Sequence, residues 1–194
     1  MKQEDPDFIF PRRKPKTLGD IHGWHKHLLN ECMRLEFRQK ILKAAIAELN
    51  SQINHYCDIA RDENRSRPAK LALAALNRIK SDFEEELRQV KDLVRIVHDT
   101  NEMIIGGLIK SGLSPDAPAH FVEKGPQPGA NLLHGDGWIE ELRSADLLEA
   151  EGKVPFVTFG TIFDSAGFDV IAFPDPDTPV HINIEYPEGE SGSQ

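Results

Sequence analysis

The chain has 194 residues, room for one large domain or for a helical hairpin with a small domain, and its 39% hydrophobic content supports a core without being rich. The formal charge of −9 is unevenly placed: residues 1–113 carry 20 basic and 17 acidic side chains, whereas residues 114–194 carry 3 and 15. Such an acidic C-terminal part repels phosphates and anionic lipid, which argues against nucleic acid as a partner, and the longest apolar run, 103–109, is too short to span a bilayer. The two cysteines, Cys32 and Cys57, lie ~38 Å apart along one helix and cannot bridge within a chain. Without a signal-peptide pattern, the expected setting is cytoplasmic, or a particle assembled in the cytoplasm.

Residues 1–19 read as an extended basic, proline-rich arm, because prolines at 6, 11 and 15 forbid a regular helix. Phe8 and Phe10 offer apolar anchors, and Arg12, Arg13, Lys14 and Lys16 offer cations that would meet acidic groups on a neighbouring subunit. The alternative is a tail with no partner.

Gly19-Asp20-Ile21-His22-Gly23 follows and resembles the first metal-binding motif of the calcineurin-like metallophosphoesterases. The resemblance covers five residues and implies a dinuclear metal centre held by Asp20 and His22 at the end of a buried strand. The basic, proline-rich residues 11–18 cannot make that strand, and no later Gly-Asn-His motif completes the set. Asp20 serves more simply as a helix N-cap, and His22 and His25 read as exposed helix-start histidines. No metal and no cofactor is expected.

Residues 20–112 form the dominant feature, two heptad stretches at 21–61 and 68–110. In the first, Leu28, Leu35, Leu42, Leu49 and Tyr56 take d, while Cys32, Gln39, Ile46, Ile53 and Ala60 take a. In the second, Ala69, Leu76, Phe83, Val90, Val97 and Ile104 take d, with Leu73, Lys80, Leu87, Val94, Asn101 and Leu108 at a. Each arm would be roughly 60–65 Å long. The charged segment 62–67 and Pro68, tolerated only in a first turn, predict an antiparallel hairpin. Folding there sets Lys80 beside Leu49 and Glu48, and Asn101 beside Leu28 and Glu31. Polar seam residues of this kind fix register.

The apolar surface is wider than one seam. Ala72, Ile79 and Leu93 flank it on the second arm, and Leu29, Met33, Phe37 and Ile41 form a separate i, i+4 stripe on the first. A lone hairpin would leave these in water, so further helices are expected, from another copy or from the rest of the chain.

Residues 113–137 read as a loop-rich linker, with His134-Gly135-Asp136-Gly137 as a turn. Residues 138–187 form a small α/β module: a helix over 138–151 burying Trp138, Ile139, Leu142 and Leu147, strands over 154–163 and 168–173 joined by a four-residue hairpin, and a third strand over 180–186. Phe156, Phe159, Phe163, Phe168 and Phe173 supply its core, or line a ligand pocket. Residues 188–194 read as a flexible tail.

The fold class is therefore α+β, mainly α: a long antiparallel helical hairpin, or coiled coil, followed by a small antiparallel β module. With no nucleophile elbow, phosphate-binding loop or dinucleotide fingerprint, the chain reads as a non-enzymatic structural protein. It is expected to be a homo-oligomer within a larger assembly such as a virion or secretion machine, with itself and other subunits as partners. An adaptor or chaperone-like protein binding partner helices is the alternative, and a metallophosphoesterase using Asp20 and His22 is a third. Contacts are expected at Phe8, Phe10, Arg12, Arg13, Lys14, Lys16, Leu28, Leu35, Leu42, Leu49, Ile79, Leu87 and Leu93.

Overall fold

The computed structural model of the protein describes residues 14–61, 66–116 and 137–181. Two long helices, α1 (Leu18–Ile59) and α2 (Ser66–Lys110), pack together, and a shorter helix α3 (Gly137–Ala150) precedes strand β1 (Val154–Val157), the single-turn helix α4 (Ile162–Ser165) and strand β2 (Val170–Phe173). The mainly α architecture with a small antiparallel sheet agrees with the pattern of the sequence. The chain divides into two compact units, one of residues 1–29 with 97–194 and one of Asn30–Ile96.

The second unit is the heptad seam itself. Leu35, Leu42, Leu49, Ala69 and Val90 are buried, and Ile46, Ile53, Leu73, Leu76, Phe83, Leu87 and Val94 are half-buried. Every third or fourth side chain of each helix is thus removed from water, which stabilises helices far longer than propensity alone could hold. Arg38 Nε donates to Glu86 Oε1 across the pair at 2.7 Å. Lys80 is half-buried and sits 3.6 Å from Glu84 on its own helix. Its partner is therefore local, one turn along, and not Glu48.

The first unit is built from the helix bases and the sheet module. Its helical part buries Leu18, Ile21, Trp24, Leu28, Leu29, Val97, Ile104, Ile105 and Leu108. Helix α1 begins in a reciprocal capping box: Thr17 Oγ1 accepts from Asp20 N at 3.2 Å, and Asp20 Oδ2 accepts from Thr17 N at 3.2 Å and Lys16 N at 2.9 Å. Thr17, not Asp20, is therefore the N-cap. Leu18 N and Gly19 N, which no helix carbonyl can serve, donate to Thr178 O and Pro176 O.

Strands β1 and β2 pair antiparallel with Val154 opposite Phe173 and Val157 opposite Val170. Both are buried along their whole length, and α3 packs on them. The strands are shorter than the expected 154–163 and 168–173, and the connection is not a four-residue hairpin. Thr161 Oγ1 instead accepts from Phe163 N at 3.2 Å and caps α4, and Asp164 Oδ2 accepts from Gly160 N at 3.1 Å. Local capping thus turns residues 162–165 helical, where apolar Ile162 and Phe163 looked strand-like. Phe156, Phe159 and Phe173 are core residues, while Leu147 on α3 is 67% exposed, contrary to its expected burial. Leu142 is half-buried. Of the expected third strand, Val180 and His181 are described and lie outside any strand, with an isolated bridge between Thr17 and Pro179 just before them, and the rest from residue 182 lies outside the described residues. The arm up to residue 13, the turn at 62–65, most of the linker, the side chains of Trp138 and Ile139, and the tail also lie outside them.

Leu42 is 1% exposed. Replacing it with Ala should cost about 2–5 kcal/mol through lost transfer energy and a residual cavity, whereas Met33→Ala on the outer face of the same helix should shift stability by less than about 0.5 kcal/mol. Urea unfolding followed by circular dichroism separates the two.

Candidate functional site

Two features stand apart from ordinary core packing. The first is a polar clasp inside the unit that holds the sheet. Thr158 N donates to Asp169 O at 2.9 Å, so the antiparallel alternation turns the N–H and C=O of Val157 away from β2, toward the open edge of β1. Side chains from both long helices receive them. His25 Nε2 on α1 accepts from Val157 N at 2.9 Å, and Asn101 Nδ2 on α2 donates to Val157 O at 3.1 Å and to Phe159 O at 2.9 Å. The pair replaces a neighbouring strand and closes an edge that would otherwise be unpaired.

Aromatic packing encloses the clasp. The rings of His25 and Phe156 lie 5.2 Å apart, and those of His98 and Phe159 lie 5.7 Å apart, edge to face. Gly160 has φ +67° and a Cβ there would come within 2.5 Å of the His98 ring, so glycine is required on both counts. Burial and the nearby His22 push the His25 imidazole down to about 3. It is neutral, with Nε2 accepting and the proton on Nδ1. Nδ1 and the Asn101 Oδ1 are buried without a hydrogen bond of normal geometry, although Asn101 lies near enough to favour protonation of the ring.

These positions correct three expectations. His25 is 1% exposed and His22 is half-buried against Phe156, so neither is an exposed helix-start histidine. Asn101 finds its hydrogen-bond partners in Val157 O of β1 and in Phe159 O of the turn that follows it. The Asp20 carboxylate is occupied by two backbone N–H groups, which hold it below the usual carboxylate range, and it sits in the first turn of a helix instead of at a strand end. Cys32 is a buried seam residue whose thiol is pushed up to about 12 by desolvation and by the charge of Glu36. A thiol held protonated in this way is a poor nucleophile.

The second feature belongs to the unit Asn30–Ile96. On α1 the stripe Met33, Phe37 and Ile41 is 43%, 65% and 42% exposed, directly behind the buried Cys32, Leu35 and Leu42. Leu29, which sequence placed in the same stripe, is buried. On α2, Ile79 is exposed, while Leu87 and Leu93 are half-buried. Leu28, Leu35, Leu42 and Leu49 are consumed within the chain, and Lys14 and Lys16 are exposed. Among the described residues no helix is long and apolar enough to cross a membrane. No protein-family model, curated protein or solved structure matches the chain.

The clasp gives stability a pH dependence of definite sign. In the unfolded chain a histidine takes up a proton near pH 6.5, whereas folded His25 stays neutral to about 3. The unfolded state therefore binds more protons across this window, and stability, full above about pH 6.5, should fall as pH drops, by up to about 1.4 kcal/mol per unit. His25→Gln should flatten the larger part of that slope in urea titrations between pH 4 and 7. A slope unchanged by the substitution would exclude His25 as its source.

Proposed function

We propose that the protein acts through protein contacts as a non-enzymatic, homo-oligomeric structural component of a larger assembly. The observation that carries this reading is the exposed Met33–Phe37–Ile41 stripe. Among the described residues the hairpin fills its own seam, and a phenylalanine nearly two-thirds in water on its outer side supports a surface that another polypeptide would cover. Function as an adaptor that captures helices of a different protein is the second reading, because the same stripe presents the i, i+4 spacing into which an amphipathic helix packs.

Rigid elements favour a scaffold over a machine that turns over substrate. The buried histidine and asparagine are spent on strand carbonyls and an amide. The Asp20 carboxylate is spent on a cap. Association in the manner of particle or secretion-system components fits a rod of this kind, with the basic arm and the acidic C-terminal part offering further charge-based contacts. The arm up to residue 13 lies outside the described residues, as do 117–136 and 182–194 of the C-terminal part.

Light scattering coupled to size exclusion tests the proposal. The full chain should run as a multimer, and Phe37→Asp should shift it toward monomer without changing its helical circular dichroism, because a carboxylate cannot be buried there without strong cost. A wild-type monomer at every concentration tried would reject self-assembly.

A further inference from the structure

Every buried polar side chain among the described residues lies in the unit that holds the sheet: His25, Thr100, Asn101, Thr158 and Thr161. Of these, His25 alone takes up a proton in acid. The unit Asn30–Ile96 buries Leu35, Leu42, Leu49, Ala69 and Val90, with Cys32 as a thiol held protonated. Apolar burial of that kind does not depend on pH.

Val157 is 1% exposed, so in the closed clasp its N–H relies on His25 Nε2 as acceptor. An imidazolium has no lone pair there. A proton on the ring therefore leaves one buried donor facing another. The surroundings do not compensate the charge. Helix α1 presents His22, β1 and the turn after it present the rings of Phe156 and Phe159, and α2 presents Asn101, with His98 against the Phe159 ring. Among the described residues the group that favours a proton on His25 is the neutral Asn101 amide, while His22 opposes it. The ion pair of Lys26 and Glu149 acts on His22.

From this geometry we infer that the clasp is an acid-released latch: protonation of His25 parts β1 from the two helices and frees the strand edge at Val157, while the seam of Asn30–Ile96 stays closed. The open latch restores an ordinary histidine, which takes up its proton near pH 6.5, whereas the closed ring stays neutral to about 3. The open form thus binds more protons. Its share grows as pH falls below about 6.5, by roughly 50-fold between about pH 7 and pH 4.5.

Native-state amide exchange in the full chain, corrected for the intrinsic effect of pH on exchange, tests the latch. The Val157 amide should lose roughly 50-fold in protection from about pH 7 to pH 4.5. At the lower pH it should be about tenfold less protected than the Leu42 amide and respond little to dilute urea, the mark of a local opening. In His25→Gln, whose side-chain oxygen accepts from Val157 N but takes up no proton, Val157 protection should agree at the two pH values to within about threefold. Protection of Val157 that does not change with pH, or that follows the Leu42 amide in both size and urea response, would overturn the latch. So would a His25→Gln chain that keeps the full pH response. If that variant does not fold, the wild-type comparison of Val157 with Leu42 decides alone.

Discussion

The α1–α2 seam is the constraint on which the rest of the structure depends. Helices of 42 and 45 residues cannot persist in water on propensity, and each survives by burying one stripe against the other. Once that stripe is satisfied within a single chain, the remaining surface acquires meaning. Leu35, Leu42 and Leu49 hold the rod together, and Met33, Phe37 and Ile41, one face further round, do not. A substitution in the seam therefore tests folding, and one in the outer stripe tests the proposed association.

The same two helices solve a second problem at their bases. A two-stranded sheet is marginal by itself, and among the described residues one edge of β1 has no partner strand. His25 and Asn101 supply the acceptor and the donors that a third strand would have brought, while α3 covers the strands. A neutral imidazole is necessary here, since a protonated ring has no lone pair for the Val157 amide. Desolvation provides that neutrality. The polar residue in the seam is therefore retained for the sheet it binds.

Periodicity made both long helices legible, because seam burial acts on every turn and leaves a repeated trace in the residues. The clasp was less legible. Asn101 stood out as a polar residue at an a position, but its partners lie more than fifty residues away, beyond the reach of any spacing rule. His25 carried a readable signal: it extends the a positions one heptad upstream of Cys32, with Ile21 and Leu28 on either side, and that pattern marks a buried face. The helix start was misplaced because Asp20 is a good cap by composition, whereas Thr17 and Asp20 at i, i+3 spell the reciprocal box. Thr161 and Asp164 repeat that spacing at the start of α4, where the apolar run was expected to continue as a strand. Local hydrogen bonding outweighed the apolar run there.

Among the described residues the unit Asn30–Ile96 closes its seam and leaves Met33, Phe37 and Ile41 exposed, which is what supports the proposed association. The central claim is that the seam closes within one chain. Electron–electron resonance between spin labels at exposed Ser51 and Arg78 tests it most directly, in a chain with Cys32→Ala and Cys57→Ser, diluted with excess unlabelled protein. A short distance between the two labels that survives dilution is the result the structure requires. Its disappearance on dilution would mean that each seam is shared between chains, and the outer stripe would lose its assigned role.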